Sequence, residues 1–163
     1  PVVLATNANR TIPDFLRTSD WQPRSSIATL ASAMDVGNPS NMERVRSVFG
    51  ETADAVTSEV RAYAVEDAEI EREIVRAHRD WGEILCPHTA TAAFVCRERL
   101  GEYERESLWT LVATAHPAKF ETVVEPLIGT PVPVPAALAR LLELPSVSQP
   151  IDADVGALRN ALA

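Results

Sequence analysis

Residues 2–10 read Val2-Val3-Leu4-Ala5-Thr6-Asn7-Ala8-Asn9-Arg10. Four apolar residues running into a polar cluster form the pattern of a strand buried on both faces of a parallel sheet, with its C-terminal end meeting solvent. Open α/β sheets place ligands at such ends. The chain has no Met before this run and begins inside it, so it is expected to be a piece of a larger fold.

Working outward, Val60 to Val65 alternates well enough for a second strand. Leu108 to Ala113 is the other strong strand candidate, breaking at Thr114-Ala115-His116-Pro117. Helical signals lie between and after them. Thr11 to Leu16 starts a short helix, and Thr18 to Arg24 reads as a loop. Ser40-Asn41-Met42-Glu43 has capping-box spacing, with Met42, Val45 and Phe49 on one face and Gly50 as the stop. Asp67 is placed to cap a helix carrying Ile70, Ile74, His78 and Trp81 up to Gly82. Pro87 suits the first turn of the next helix, with Ala90, Phe94 and Leu100 inward and Gly101 as its stop. Pro117 starts another, through Phe120, Val123, Val124 and Leu127 to Gly129. Pro131, Pro133 and Pro135 form a stiff connector, followed by helices at Ala136 to Leu144 and Val155 to Leu162. About three strands and six helices in alternation predict an α/β fold. Three strands make a poor sheet alone, which again predicts missing neighbours.

The 163 residues, 46% apolar, suffice for one compact core and exclude a disordered tail. A net charge of -8 argues against a nucleic-acid backbone as partner. Of 15 basic residues only Lys119 is a lysine. Cys86 and Cys96 make too thin a disulfide framework for a secreted domain, which predicts a reduced, cytoplasmic setting. No apolar run approaches the roughly 20 residues of a membrane span, and the basic start of a signal peptide is lacking.

Two expected strand ends, Thr6-Asn7-Ala8-Asn9 and Thr114-Ala115-His116, would open on the same sheet edge and frame a small-molecule cleft or carry ordinary loop chemistry. Among the histidines, His78 lies on an apolar stripe and reads as packed. His88 follows Pro87 at a helix start, where backbone amides disfavour a charged imidazole. His116 is set to orient a loop or touch a ligand. No His or Cys spacing suits zinc. Cys86 and His88 are too close for a nucleophile and its base, and the scattered glycines form no nucleotide loop.

Four separated segments carry a resemblance: Ala5-Thr6-Asn7-Ala8-Asn9, Ala33-Met34-Asp35-Val36 with Pro39-Ser40-Asn41, Pro87-His88-Thr89-Ala90, and Ala113-Thr114-Ala115-His116-Pro117-Ala118-Lys119-Phe120. In that order they resemble motifs of the threonine synthase family, in its C-terminal part. The resemblance implies a portion of a fold type II pyridoxal-phosphate enzyme, tryptophan synthase beta-like, within a parallel-sheet three-layer domain. Residues 1–163 would be a single segment of the cofactor-binding large domain plus the C-terminal helices. It further implies conversion of O-phospho-L-homoserine and water to L-threonine and phosphate, by elimination at the gamma carbon and addition of water at the beta carbon. The Schiff-base lysine and the phosphate cradle of the family lie upstream of this sequence. Lys119 is therefore not the cofactor lysine, and no catalytic residue is expected in this chain.

On the cofactor side the resemblance assigns Thr114, whose hydroxyl would face the pyridine nitrogen, and Ala115. For the pocket wall it assigns Asn7, Asn9, His88, Thr89 and His116, with a turn role for the two asparagines equally open. Thr29, Ser32, Met34 and Asp35 match the stretch before the capped helix. Arg10, Ala31 and Cys86 depart from the family, which commonly carries Asp, Ser and Asp there. The implied partners are O-phosphohomoserine and the N-terminal part of the same enzyme, without nucleic acid or membrane, and an oligomer is compatible. Two alternatives stand beside this reading: a pyridoxal-phosphate lyase for another phosphorylated amino acid, and a non-catalytic binding domain with the inherited fold.

Overall fold

The structure, a computed structural model, describes residues 2–50, 52–101, 104 and 107–163. Its described residues gather into two units, Pro1–Val132 and Pro133–Ala163.

In the first unit, strand β1 (Val2–Thr6) pairs in parallel with β2 (Val60–Ala64), Val2 opposite Val60 and Thr6 opposite Ala64. Val65, fully buried, extends the ladder by donating its amide to the Thr6 carbonyl at 3.0 Å. A parallel pair needs a crossover. The crossover carries helices α1 (Thr11–Thr18), α2 (Met42–Phe49) and α3 (Ala53–Thr57). Phe15, Met42 and Ala53 form their common core, with Ile12, Leu16, Trp21 and Val45 packed around it. Phe15 and Trp21 meet edge to face at 5.5 Å, and the Arg46 guanidinium lies 4.8 Å from the Trp21 ring centre.

After β2, helix α4 (Asp67–Trp81) packs on α5 (Pro87–Glu98). Ile70, Ile74 and Ala77 of α4 are wholly buried, as are Ala90 and Ala93 of α5. Full burial of each isoleucine stabilises the fold by about 1.5–3 kcal/mol. Polar ties brace the far end of this pair: Arg97 bonds Glu73 at 3.0 Å and lies 4.0 Å from the Trp81 ring centre, and Arg99 bonds Glu69 at 2.7 Å. Helix α6 (Glu121–Ile128) also packs on α4. In the second unit, α7 (Ala136–Leu142) follows the proline run and α8 (Val155–Leu162) is capped by the Asp154 carboxylate, which accepts the amides of Gly156 and Ala157.

Several expectations are corrected. Leu108 to Ala113 forms no strand; with neither flank engaged in a described ladder, it runs unpaired, and Leu108 is fully exposed. The capping box at Ser40 does not form, because Ser40 and Asn41 are already turned and Asn41 is the residue before α2, without a side-chain cap. Glu66, not Asp67, caps α4, through a reciprocal box with Glu69. Asp67 instead accepts the Leu30 amide at 3.1 Å. Helix α5 ends at Glu98, short of Gly101, and α7 ends at Leu142. The helix expected from Pro117 is divided into a 3-10 turn, Pro117–Lys119, and α6, since Phe120 between them departs from helical geometry at φ -133° and ψ 29°. Helix α1 runs on to Thr18, and α3 escaped the pattern because five residues carry too little periodicity.

Candidate functional site

The C-terminal end of β1 is a hub of buried amides. Asn7 is fully buried and Asn9 nearly so. The Asn7 side-chain NH2 donates to Thr29 Oγ1 (2.7 Å), to Asp35 Oδ1 (2.7 Å) and to the Ala31 carbonyl (3.2 Å). Its Oδ1 accepts the Asn9 backbone N–H at 2.9 Å and the Asn9 amide at 3.0 Å. Asn9 also binds Ile27 both ways, accepting its N–H and donating to its carbonyl, each at 2.8 Å. The Asp35 carboxylate closes the set by accepting the Thr29 amide (3.0 Å) and hydroxyl (2.7 Å). Residues 27–35 are thus lashed to the strand end. An Asn-x-Asn can do this because each side chain offers donor and acceptor together, so neighbouring loop groups are satisfied without charge.

This lashing places the 3-10 turn Ser32–Met34 on the wall of a cavity of about 1220 Å3. The cavity is lined by all of β1, by Asn9, by Ala33, Met34 and Val36, by His88, Val95 and Cys96 of α5, and by the unpaired stretch from Ser107 to Val112 with Thr114. Glu104 is the one carboxylate among the described lining residues, and no described Arg or Lys belongs to them. Glu104 binds Arg61, which holds its carboxyl below the usual range.

The expected site residues separate into two groups. Asn9, His88 and Thr114 come together on the cavity wall. Asn7 lies behind it, within the hub. Thr89 is buried with its hydroxyl 3.2 Å from Cys86 Sγ. Ala115 is half-buried outside the lining, and exposed His116 caps the following turn, its Nδ1 accepting the Ala118 amide at 3.1 Å. Lys119 is exposed and outside the lining. Arg10 is a surface partner of Asp14 at 3.2 Å, and Cys86 takes the N-cap position of α5, its sulfur accepting the Thr89 amide at 3.4 Å.

His88 is held in one tautomer. Its Nε2 accepts the Ala33 backbone N–H at 3.0 Å, so the proton sits on Nδ1. The ring packs on Phe120 with centroids 4.9 Å apart, and burial pushes its pKa down, favouring the neutral form. Sequence reasoning missed this bond, which joins positions 55 apart with no local signal. It also missed Ala92, Val95 and Cys96 on the wall, although their helical spacing was a usable sign.

A parallel β pair with flanking helices and a ligand-sized cavity beside a strand end defines an α/β protein, and its structural neighbours make it fold type II. Residues 89–162 match the family described as "Threonine synthase, C-terminal". The chain is 40% identical to the threonine synthase of Serratia marcescens over 98% of its own length and 36% of that relative's. To the threonine synthase of Escherichia coli K12 it is 36% identical over the same shares. The crystal structure of Escherichia coli threonine synthase superposes with a TM-score of 0.81 at 33% identity, covering 98% of this chain and 36% of that one. That of PLP-bound threonine synthase from Brucella melitensis gives 0.74 at 27% identity, over 86% and 35%. The chain matches the C-terminal part of threonine synthases and spans little more than a third of the relatives it matches.

Proposed function

We propose that this chain serves as the C-terminal part of a threonine synthase, which converts O-phospho-L-homoserine and water to L-threonine and phosphate with pyridoxal phosphate. The observation that carries the reading is the shared cavity wall, where segments matching three separate family motifs meet at Asn9, Ala33 with Met34, and Thr114, beside His88 of the fourth.

The residues present fit one face of the cofactor and not all of it. An apolar wall with the Thr114 hydroxyl suits a pyridine ring. The described lining holds no cation for a phosphate and no amine for the carbonyl carbon. Those groups belong to the rest of the enzyme, and residues 1–163 alone are expected to be inactive. When bound, the cofactor supplies an electron sink for carbanion chemistry. Thr114 gives the ring nitrogen a neutral hydrogen-bond partner, which does not hold a proton there as a carboxylate would. The hub at Asn7, Asn9 and Asp35 anchors the loop on either side of Ala33 and Met34, and the apolar side chains of β1 line the cavity.

The test joins the N-terminal two thirds of the Serratia marcescens enzyme to residues 1–163. The chimera is expected to bind pyridoxal phosphate and to release phosphate from O-phosphohomoserine with formation of threonine. A chimera that binds the cofactor yet turns over only another phosphorylated amino acid would replace the substrate assignment. In the active chimera Thr114→Asp should shift the cofactor absorption band and lower kcat by about 100-fold, with Thr114→Ser retaining most activity. Unchanged turnover in Thr114→Asp would remove Thr114 from the cofactor.

A further inference from the structure

We infer that His88 is a positioning residue: its neutral imidazole latches the Ser32–Met34 turn in place, so the cavity wall is intact only while that ring is uncharged. The inference rests on the proposed function for its kinetic consequence, but not for its structural one.

The geometry allows a single arrangement. The Ala33 N–H needs an acceptor, and Nε2 of His88 supplies it at 3.0 Å from a different helix. The hub grips the same loop elsewhere, at Ile27, Thr29, Ala31 and Asp35. Ala33 and Met34, the part that reaches the cavity, have His88 as their tie to α5. A second proton on the ring converts Nε2 from acceptor to donor, leaving two N–H groups opposed. The buried ring cannot turn the problem around, since Nδ1 already carries a proton and has no partner among the described residues.

The charges around the ring act in opposite senses. Asp35, in the loop, favours the imidazolium, whereas Lys119, in the turn before Phe120, opposes it along with burial. Strand β1 is uncharged throughout. Of the α4 carboxylates, Asp67 accepts the Leu30 amide beside the loop, whereas Glu73 and Glu69 bind Arg97 and Arg99 at the other end of α5. With folded-state pKa below the unfolded value, the latch is fully present above the ordinary histidine range and is lost as pH falls through the folded pKa.

The test uses the active full-length chimera. Hydrogen exchange of the peptide containing Ala33 is followed from about pH 8 to about pH 5.5. Its protection factor is expected to fall toward the acid side by about tenfold or more, while peptides of α4 keep theirs. In parallel KM should rise over that range with a smaller change in kcat. His88→Gln, whose amide oxygen can accept the Ala33 N–H and cannot titrate, should flatten both pH dependences relative to its own value at pH 8. His88→Leu should show weak Ala33 protection at every pH. Equal protection across the range, or the same acid limb in His88→Gln, would overturn the latch. If the chimera proves to have another activity or none, the exchange measurement still decides this point.

Discussion

At the scale of single residues, Asn7 does more than any other side chain to shape the site, yet it touches no cavity surface. Its amide makes five polar contacts in full burial, two N–H groups shared among three acceptors and one oxygen accepting twice. Asn7→Leu would strand the Asn9 amide and remove a donor from Asp35, at a cost of about 3 kcal/mol or more, measurable by urea unfolding of the full-length protein. Asn7→Asp would set a second carboxylate against Asp35. Because both burial and that neighbour raise the new carboxyl's pKa, its destabilisation should grow as pH rises above the ordinary carboxylate range. Glu73 provides a native case with the same sign. Buried at 1% exposure, its carboxyl is pushed up by desolvation, against the pull of Arg97. The folded state therefore holds that proton longer than the unfolded chain, so its contribution is full below the ordinary glutamate pKa and declines as pH rises through the folded value. Glu73→Gln is expected to flatten stability between about pH 4 and about pH 7, as read by thermal melts.

At the scale of elements, end chemistry decides more than propensity. Cys86 caps α5 with a sulfur, a weak acceptor. Cys86→Ala should cost about 0.5–1 kcal/mol in denaturant unfolding, with Cys86→Ser at or above the stability of the starting protein. The crossover loop has its own fixed point at Gly37. There a Cβ would lie 2.0 Å from the Arg24 carbonyl oxygen, whose strand of chain is joined to Gly37 by the Arg24 amide at 3.1 Å. Gly37→Ala should push residues 24–37 off the hub, raising KM in the chimera and destabilising it by about 1–3 kcal/mol. The helices were largely legible from sequence because apolar spacing and stop glycines are local. Ser40 and Asp67 misled because a capping residue is chosen by the path of the chain arriving at it, and that path is tertiary.

At the scale of the whole molecule, 163 residues yield a described sheet of only two strands. Val2 is 55%, Val112 71% and Leu108 100% exposed, all on the cavity lining. Isolated residues 1–163 are expected to self-associate or to melt without cooperativity, by light scattering and calorimetry. The four motifs, the α/β class and the placement of a cleft at the end of β1 were readable from the amino-acid sequence, because each rests on a short run of neighbours whose chemistry is local. The failed strand at Leu108 to Ala113 was not, since the same apolar run is a strand or an unpaired cavity wall according to what lies beside it. Nor was the division of labour at the site. Which asparagine carries the loop and which meets the cavity, and that His88 closes on Ala33, depend on contacts between segments far apart in the chain, and only the folded arrangement brings those partners within hydrogen-bonding distance.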